Sequence, residues 1–447
     1  MFSRDAGVDQ FPRSIGSFVF SESSPQMKPH HVGLLAATCL MFLSSLVTAE
    51  EWNQFRGVTG SGLAEGEFPS AWSMDAGIRW SVELPGRANS SPAVTSRRVD
   101  LTTQTEDGGL WVLSYERSSG KLLRQTRVGQ GELKAAGAPE LWAHRHNAAT
   151  PTPIASEEHI WAYFGSGLLV CLETSSGQIV WKRDLAVELG EYDITFGMAS
   201  SPRLYGGQLF IACMTKGNSY LVALDPQTGV EKWRTERKYA VPDDHPDAYS
   251  SPIIHEQPDG AEIVLAGAGF LDSFAPDNGR RLWSQQVLMI DSPYGRVIAS
   301  PIAAGELIIG TSGNPAGGGK GHVVAINRER EVWRWNRSTP DSSTPLVVGD
   351  LLFAVSDAGI ATCLNVLDGR QLWQKRLGGG PYNASLVSAG GLVYFLGIDG
   401  VCTVIRADAE GTIVARNALP GTFYATPALA EGQIYLRAYE RLFAIGD

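Results

Sequence analysis

Cysteine is scarce in this chain, with 5 among 447 residues. No two are adjacent and none forms Cys-x-x-Cys, so neither a zinc knuckle nor a c-type haem attachment is encoded. Cys171, Cys213, Cys363 and Cys402 each fall in an alternating apolar stretch, where a small buried hydrophobe is the ordinary role. Positive charge is also short: 37 Lys and Arg stand against 47 Asp and Glu, a net charge of −10. A phosphate backbone calls for a basic face, which excludes nucleic acid as a partner. Long apolar helical patterns are missing as well. The one long uncharged run, 32–47, is 16 residues, short of the roughly 20 that span a bilayer.

Glycine (50), proline (24) and tryptophan (12) are abundant instead. That balance points to many short strands joined by tight turns. The apolar run follows Lys28 and two histidines and precedes the small residues Val47-Thr48-Ala49, which is the layout of a secretory signal cut after Ala49; a retained membrane anchor is the alternative. Met27 reads as the initiator, leaving 1–26 as a disordered upstream extension, 27–49 as the signal and 50–77 as a leader. Loss of 1–49 removes three basic residues (Arg4, Arg13, Lys28) and three acidic ones (Asp5, Asp9, Glu22), so the mature charge stays at −10. The expected location is periplasmic or secreted, with no stable membrane span after cleavage.

Two units recur in register. The first is Ser/Thr-Pro opening a short apolar strand, with prolines at 92, 153, 202, 252, 301, 345 and 427 and Leu386 in the remaining place. The second is the stretch ALDPQTGVEKW at 223–233, echoed at 171–181, 273–283 and 363–373. Asp225 can hydrogen-bond the turn it begins, Gly229 supplies positive φ, and Trp233 then lands at a fixed place on an outer strand. Periods of 40 to 60 residues with four strands each describe propeller blades. The expected fold is all-β: a single eight-bladed β-propeller of four-stranded antiparallel blades over 78–447. Trp80, Trp181, Trp233, Trp283, Trp333 and Trp373 are the expected interblade docking residues. Arg124 and Ala415 replace Trp in blades one and seven. Blade eight lacks a fourth strand, and residues 78–84 are expected to supply it and close the ring.

The full match Ala223-x-Asp225-x-x-Thr228-Gly229-x-x-x-Trp233 resembles the tryptophan-docking repeat of the quinoprotein (PQQ-repeat) propellers, over roughly residues 52–447. That family includes quinone-dependent alcohol dehydrogenases and non-enzymatic propellers similar to outer-membrane assembly factor B. The stretch EWNQFRGVTGSG at 51–62 looks like the leader of secreted bacterial members. Resemblance to the dehydrogenases implies a vicinal Cys-Cys disulfide, Ca²⁺ held by Glu and Asn, and an Asp base; the first is absent and no motif places the others.

In this strand order the links between blades gather on one face with the loops joining second and third strands, forming a funnel. The longest link brings Trp142, His144, Arg145, His146 and Asn147; others bring Tyr192 and Asp193, Asp247 and Tyr249, Tyr294 and Arg296, and Tyr382 and Asn383. Aromatic and polar groups around a funnel suit a protein segment or a glycan, although each could equally tether its own loop. His144 and His146 lack a third ligand at metal spacing, and the acidic stretch 243–247 lacks the spacing of a calcium loop. The expectation is a monomeric, exported, non-catalytic binding scaffold with neither metal nor cofactor. A PQQ- and Ca²⁺-dependent alcohol or sugar dehydrogenase and a carbohydrate-binding propeller are the alternatives.

Overall fold

The computed structural model describes residues 51–131, 146–242, 244–313 and 321–446; the signal and upstream expectations lie outside them. Eight sheets form a ring, and in all but the last the strands pair in chain order from the inner edge outward. Blade three shows the plan with strands Arg203–Tyr205, Gln208–Cys213, Tyr220–Leu224 and Glu231–Glu236. Its second and third strands are buried along their whole length. A strand with a neighbouring blade on both faces reads as a continuous apolar run. The fourth strand alternates half-buried and exposed positions, as expected of a strand with one face in water.

The turn before that fourth strand is fixed by Asp225. Its Oδ1 accepts from the backbone N–H of Gln227 (3.1 Å) and Thr228 (2.9 Å) and from the Thr228 hydroxyl (2.9 Å), and Gly229 takes φ +71°. Trp233 then sits opposite Ala223 on the third strand. Every tryptophan of this set faces a small residue there: Cys171, Ser273, Ala325, Cys363 and Ala444 in the other blades. Space for the indole explains why cysteine occurs at 171 and 363.

Five of the six rings reach the turn of the following blade. The indole N–H donates to a backbone carbonyl from Trp80 to Arg117 (2.9 Å), Trp181 to Pro226 (2.9 Å), Trp233 to Pro276 (3.0 Å), Trp333 to Val366 (2.8 Å) and Trp373 to Asp408 (3.4 Å). Trp283 differs, donating to Glu262 Oε2 at 2.9 Å, because the turn of blade five lacks the glycine that lets a ring settle on it. In blade one Arg124 occupies the tryptophan place opposite Ser114 and donates to the carbonyls of Thr174 and Ser175 in blade two.

Ring closure follows the expected route. Ile78–Glu83 pairs antiparallel with Arg441–Ile445, with Trp80 opposite Ala444. The leader, however, is part of the propeller body. Trp52 bridges Val94 in blade one, Asn53 accepts from Ala155 in blade two, and Gln54 bonds Leu204 in blade three. Arg56 reaches the carbonyls of Pro345 and Leu386 in blades six and seven. Leu63–Ala64 then adds a parallel fifth strand to blade seven against Val387–Ala389, so that sheet departs from the four-stranded antiparallel plan.

The same strap supplies the tryptophan that blade seven lacks. Trp72 lies 6.4 Å from Tyr394, the counterpart of Phe210 and Phe353, which face Trp233 and Trp373 at 5.8 and 6.0 Å. Blade seven's own outer strand has Ala415 opposite Val404, a small residue and a larger one in exchanged places.

Candidate functional site

The Ser/Thr that precedes each strand-opening proline has a role beyond marking the repeat. In all but the last blade, its backbone N–H donates to the hydroxyl of its counterpart in the next blade. The series runs from Ser91 to Thr152 (2.9 Å), Ser201 (3.0 Å), Ser251 (2.9 Å), Ser300 (2.9 Å), Thr344 (3.0 Å), Ser385 (3.1 Å) and Thr426 (3.0 Å). The inner strands of neighbouring blades belong to separate sheets, and these side chains satisfy backbone donors that burial would otherwise strand.

All eight hydroxyl residues line a central cavity of about 650 Å³. The strap contributes Phe55, and the interblade links form the wall. Of the residues expected in the funnel, His146, Tyr249, Tyr294, Arg296 and Asn383 line this cavity. Four others do not. Asn147 holds its own link, donating to the Arg87 carbonyl (2.5 Å) and accepting from Ala149 N–H (3.0 Å). Tyr192 shares a 2.7 Å hydrogen bond with the Tyr163 hydroxyl. Asp193 presents its carbonyl to Lys216 N–H. Tyr382 is fully buried and donates to the Gly378 carbonyl at 2.7 Å. Trp142, His144 and Arg145 lie outside the described residues.

Several wall residues carry no repeat signal. Asp244 accepts from Lys216 (3.1 Å) and from Arg296 (2.7 Å), joining loops of two blades. The acidic 243–247 stretch thus supplies an ion-pair hub. Asp247 is buried behind it, its Oδ2 accepting from Thr195 N–H at 2.9 Å, and burial pushes its carboxyl pKa up. Arg296 also lies over the ring of Phe196 at 5.0 Å, and Phe196 stacks on His146 at 5.6 Å. Burial, reinforced by the Asp247 carboxylate, raises the Tyr249 phenol far above its usual range, so it stays a neutral donor.

Among the described residues, no three His, Cys, Asp or Glu side chains are placed to hold a metal ion. The four described cysteines are buried in four different blades, and burial pushes Cys171, Cys213 and Cys363 up to about 12. Thiols so raised are inert at neutral pH.

The family model described as outer membrane protein assembly factor BamB matches residues 127–375 and 358–445. The chain belongs to this family. It is 25% identical over 243 residues to BamB of Shewanella oneidensis, covering 50% of this chain and 56% of that protein. With BamB of Yersinia pestis the identity is 20% over 317 residues, covering 67% and 72%. The chain thus spans little more than half of the first relative. Among solved structures it resembles BamB from Moraxella catarrhalis (TM-score 0.60, 15% identity, 82% of this chain and 96% of that one). It also resembles a europium-containing methanol dehydrogenase (TM-score 0.67, 9% identity, 89% and 98%). At such identities the likeness is one of fold. Among the described residues no helix is long and apolar enough to cross a membrane.

Proposed function

We propose that this BamB-family member is an exported, non-catalytic propeller that binds a partner protein at its funnel face and takes part in outer-membrane protein assembly. The observation that carries this is the family match along most of the propeller, joined to a funnel wall built from links of successive blades. Tyr294, about half exposed at 52%, gives the rim an aromatic anchor of the kind that dominates protein interfaces. The ion pairs of Asp244 with Lys216 and Arg296 hold neighbouring links in one arrangement, which reduces the ordering cost of binding. The signal-like segment at 27–49 supports export. The resemblance to a methanol dehydrogenase brings fold without chemistry.

Complementation tests this reading. In cells lacking the protein, outer-membrane protein levels are expected to fall. The parent chain and the blade-edge variant Leu367→Ala restore them, whereas Tyr294→Ala combined with Arg296→Ala does not. Equal restoration by all three chains, or unchanged levels in the deletion strain, contradicts it.

A further inference from the structure

Basic residues, outnumbered along the chain as a whole, gather at one seam of the ring. Where blade one passes from its first strand to its second it reads Ser96-Arg97-Arg98. The same place carries Glu157-Glu158 in blade two, Gly206-Gly207 in blade three and Glu431-Gly432 in blade eight. Arg117 follows the third strand of blade one, Arg124 stands in its tryptophan place, and Arg79 lies on the closing strand of blade eight. All five arginines line a groove of about 660 Å³ between blades eight, one and two. The groove is walled by turns joining first to second and third to fourth strands, so it opens on the face opposite the funnel.

Two of the five are committed to the fold. Arg117 is buried, donates to the Tyr435 hydroxyl at 2.9 Å and pairs with Glu431 at 2.8 Å. Arg98 is buried too, bonding the Ser156 carbonyl at 2.6 Å and pairing with Asp100 at 3.4 Å. Arg124 bonds only the carbonyls of Thr174 and Ser175. Arg79 and Arg97 are exposed, and among the described residues the Arg97 guanidinium has no hydrogen-bond or ion-pair partner. Two further carboxylates line the groove, Glu116 and Glu157, accepting from the hydroxyls of Ser119 and Ser96. Next to Arg124, Leu122 and Leu123 are exposed, and Leu123 lines the groove.

We propose that this groove docks an extended acidic segment of a partner protein, its carboxylates gathered around Arg97 and an aliphatic side chain resting on Leu123. Charge complementarity selects this occupant. A guanidinium takes a carboxylate through two parallel hydrogen bonds, and Arg97 is presented with none. Glu116 and Glu157 repel a continuous anionic surface, whether a bilayer or a phosphate backbone, but fit between the spaced side chains of a peptide. A concave site also suits a chain segment better than a flat membrane. The groove and the rim lie on opposite faces, so one propeller can hold a partner on each, and the two readings fail independently.

Fluorescence anisotropy of the exported chain with a labelled, glycine-spaced peptide of glutamate and leucine tests the proposal. Peptides with glutamine or lysine in place of glutamate serve as controls. The glutamate peptide alone is expected to bind, more weakly as salt rises. Arg97→Glu should weaken it about tenfold. Arg280→Glu, exposed on a turn of blade four on the same face, should leave the affinity unchanged, and both variants should melt near the parent temperature. No binding of the glutamate peptide, equal binding of the glutamine peptide, or an equal loss in both variants overturns the proposal. Capture by phosphatidylglycerol vesicles that Arg97→Glu abolishes, with the peptide silent, overturns it as well and assigns the groove to a membrane.

Discussion

The indole N–H of Trp233 donates to the carbonyl of Pro276 at 3.0 Å, and Gly279 of the same turn lies against the ring. A Cβ built on Gly279 would come within 2.3 Å of Trp233 Cε3. The tryptophan of one blade and the glycine of the next therefore form one interlocking contact. Trp233→Ala is expected to cost about 3–5 kcal/mol, and Trp233→Phe markedly less, since it keeps most of the packing and loses the hydrogen bond. Gly279→Ala should also destabilise, because it meets both the ring and a φ of +71°. Thermal melting against the exposed substitution Lys232→Ala checks all three.

Trp72 should behave as a docking tryptophan despite coming from the strap. It sits against Tyr394, its backbone N–H donates to Asn417 Oδ1 at 2.9 Å, and Asn417 donates back to the Ser70 carbonyl. Trp72→Ala is expected to destabilise blade seven first. Hydrogen exchange should rise within 387–418 before it rises in blade three; uniform exchange would contradict the assignment.

The collar gives a sharper chemical test. Thr344→Val keeps the shape of the side chain but leaves the Ser300 N–H, now bonded at 3.0 Å, buried without an acceptor. A loss of about 1–3 kcal/mol is expected, whereas Thr344→Ser should stay close to the parent. Denaturant midpoints measured at constant m separate the two.

Blade one carries a pH-dependent weakness where tryptophan is replaced. Burial pushes the Asp100 carboxyl up to about 6, against the opposing influence of Arg98 and the Ser114 hydroxyl. The folded state therefore holds this proton more tightly than the unfolded chain. Its contribution is full below about pH 4 and lost as pH rises through about 6. Asp100→Asn removes that dependence. Between pH 4 and pH 8 its stability relative to the parent should improve by as much as about 3 kcal/mol, read from melting curves at both pH values.

Much of this was legible in the chain because the repeat is local. The Asp-x-x-Thr-Gly-x-x-x-Trp spacing places the third and fourth strands and their turn in the blades that keep it, and the missing fourth strand of blade eight identified 78–84 as its source. What escaped depends on contacts between distant residues. Trp72 meets Asn417 across 345 positions, so the strap reads as a leader until the ring is closed. The Ser/Thr-Pro marker was visible, yet the hydroxyl bonds run from blade to blade and leave no trace in a single unit. Tyr294 and Tyr382 look alike in sequence, each in an interblade link. One is exposed on the rim while the other turns inward to cap Gly378, a difference set by local backbone geometry. The pairing of Lys216 with Asp244 likewise joins two loops with no common pattern.

The central claim is that the funnel rim docks a partner protein. Site-specific photo-crosslinking in living cells tests it most directly, with the reactive side chain placed at 294 or 424 on the funnel and at 367 or 230 on the outer blade edges. The account predicts one discrete crosslinked envelope protein from both funnel positions and none from the outer positions. The same product from the outer positions alone, or no discrete product from either funnel position, would contradict it.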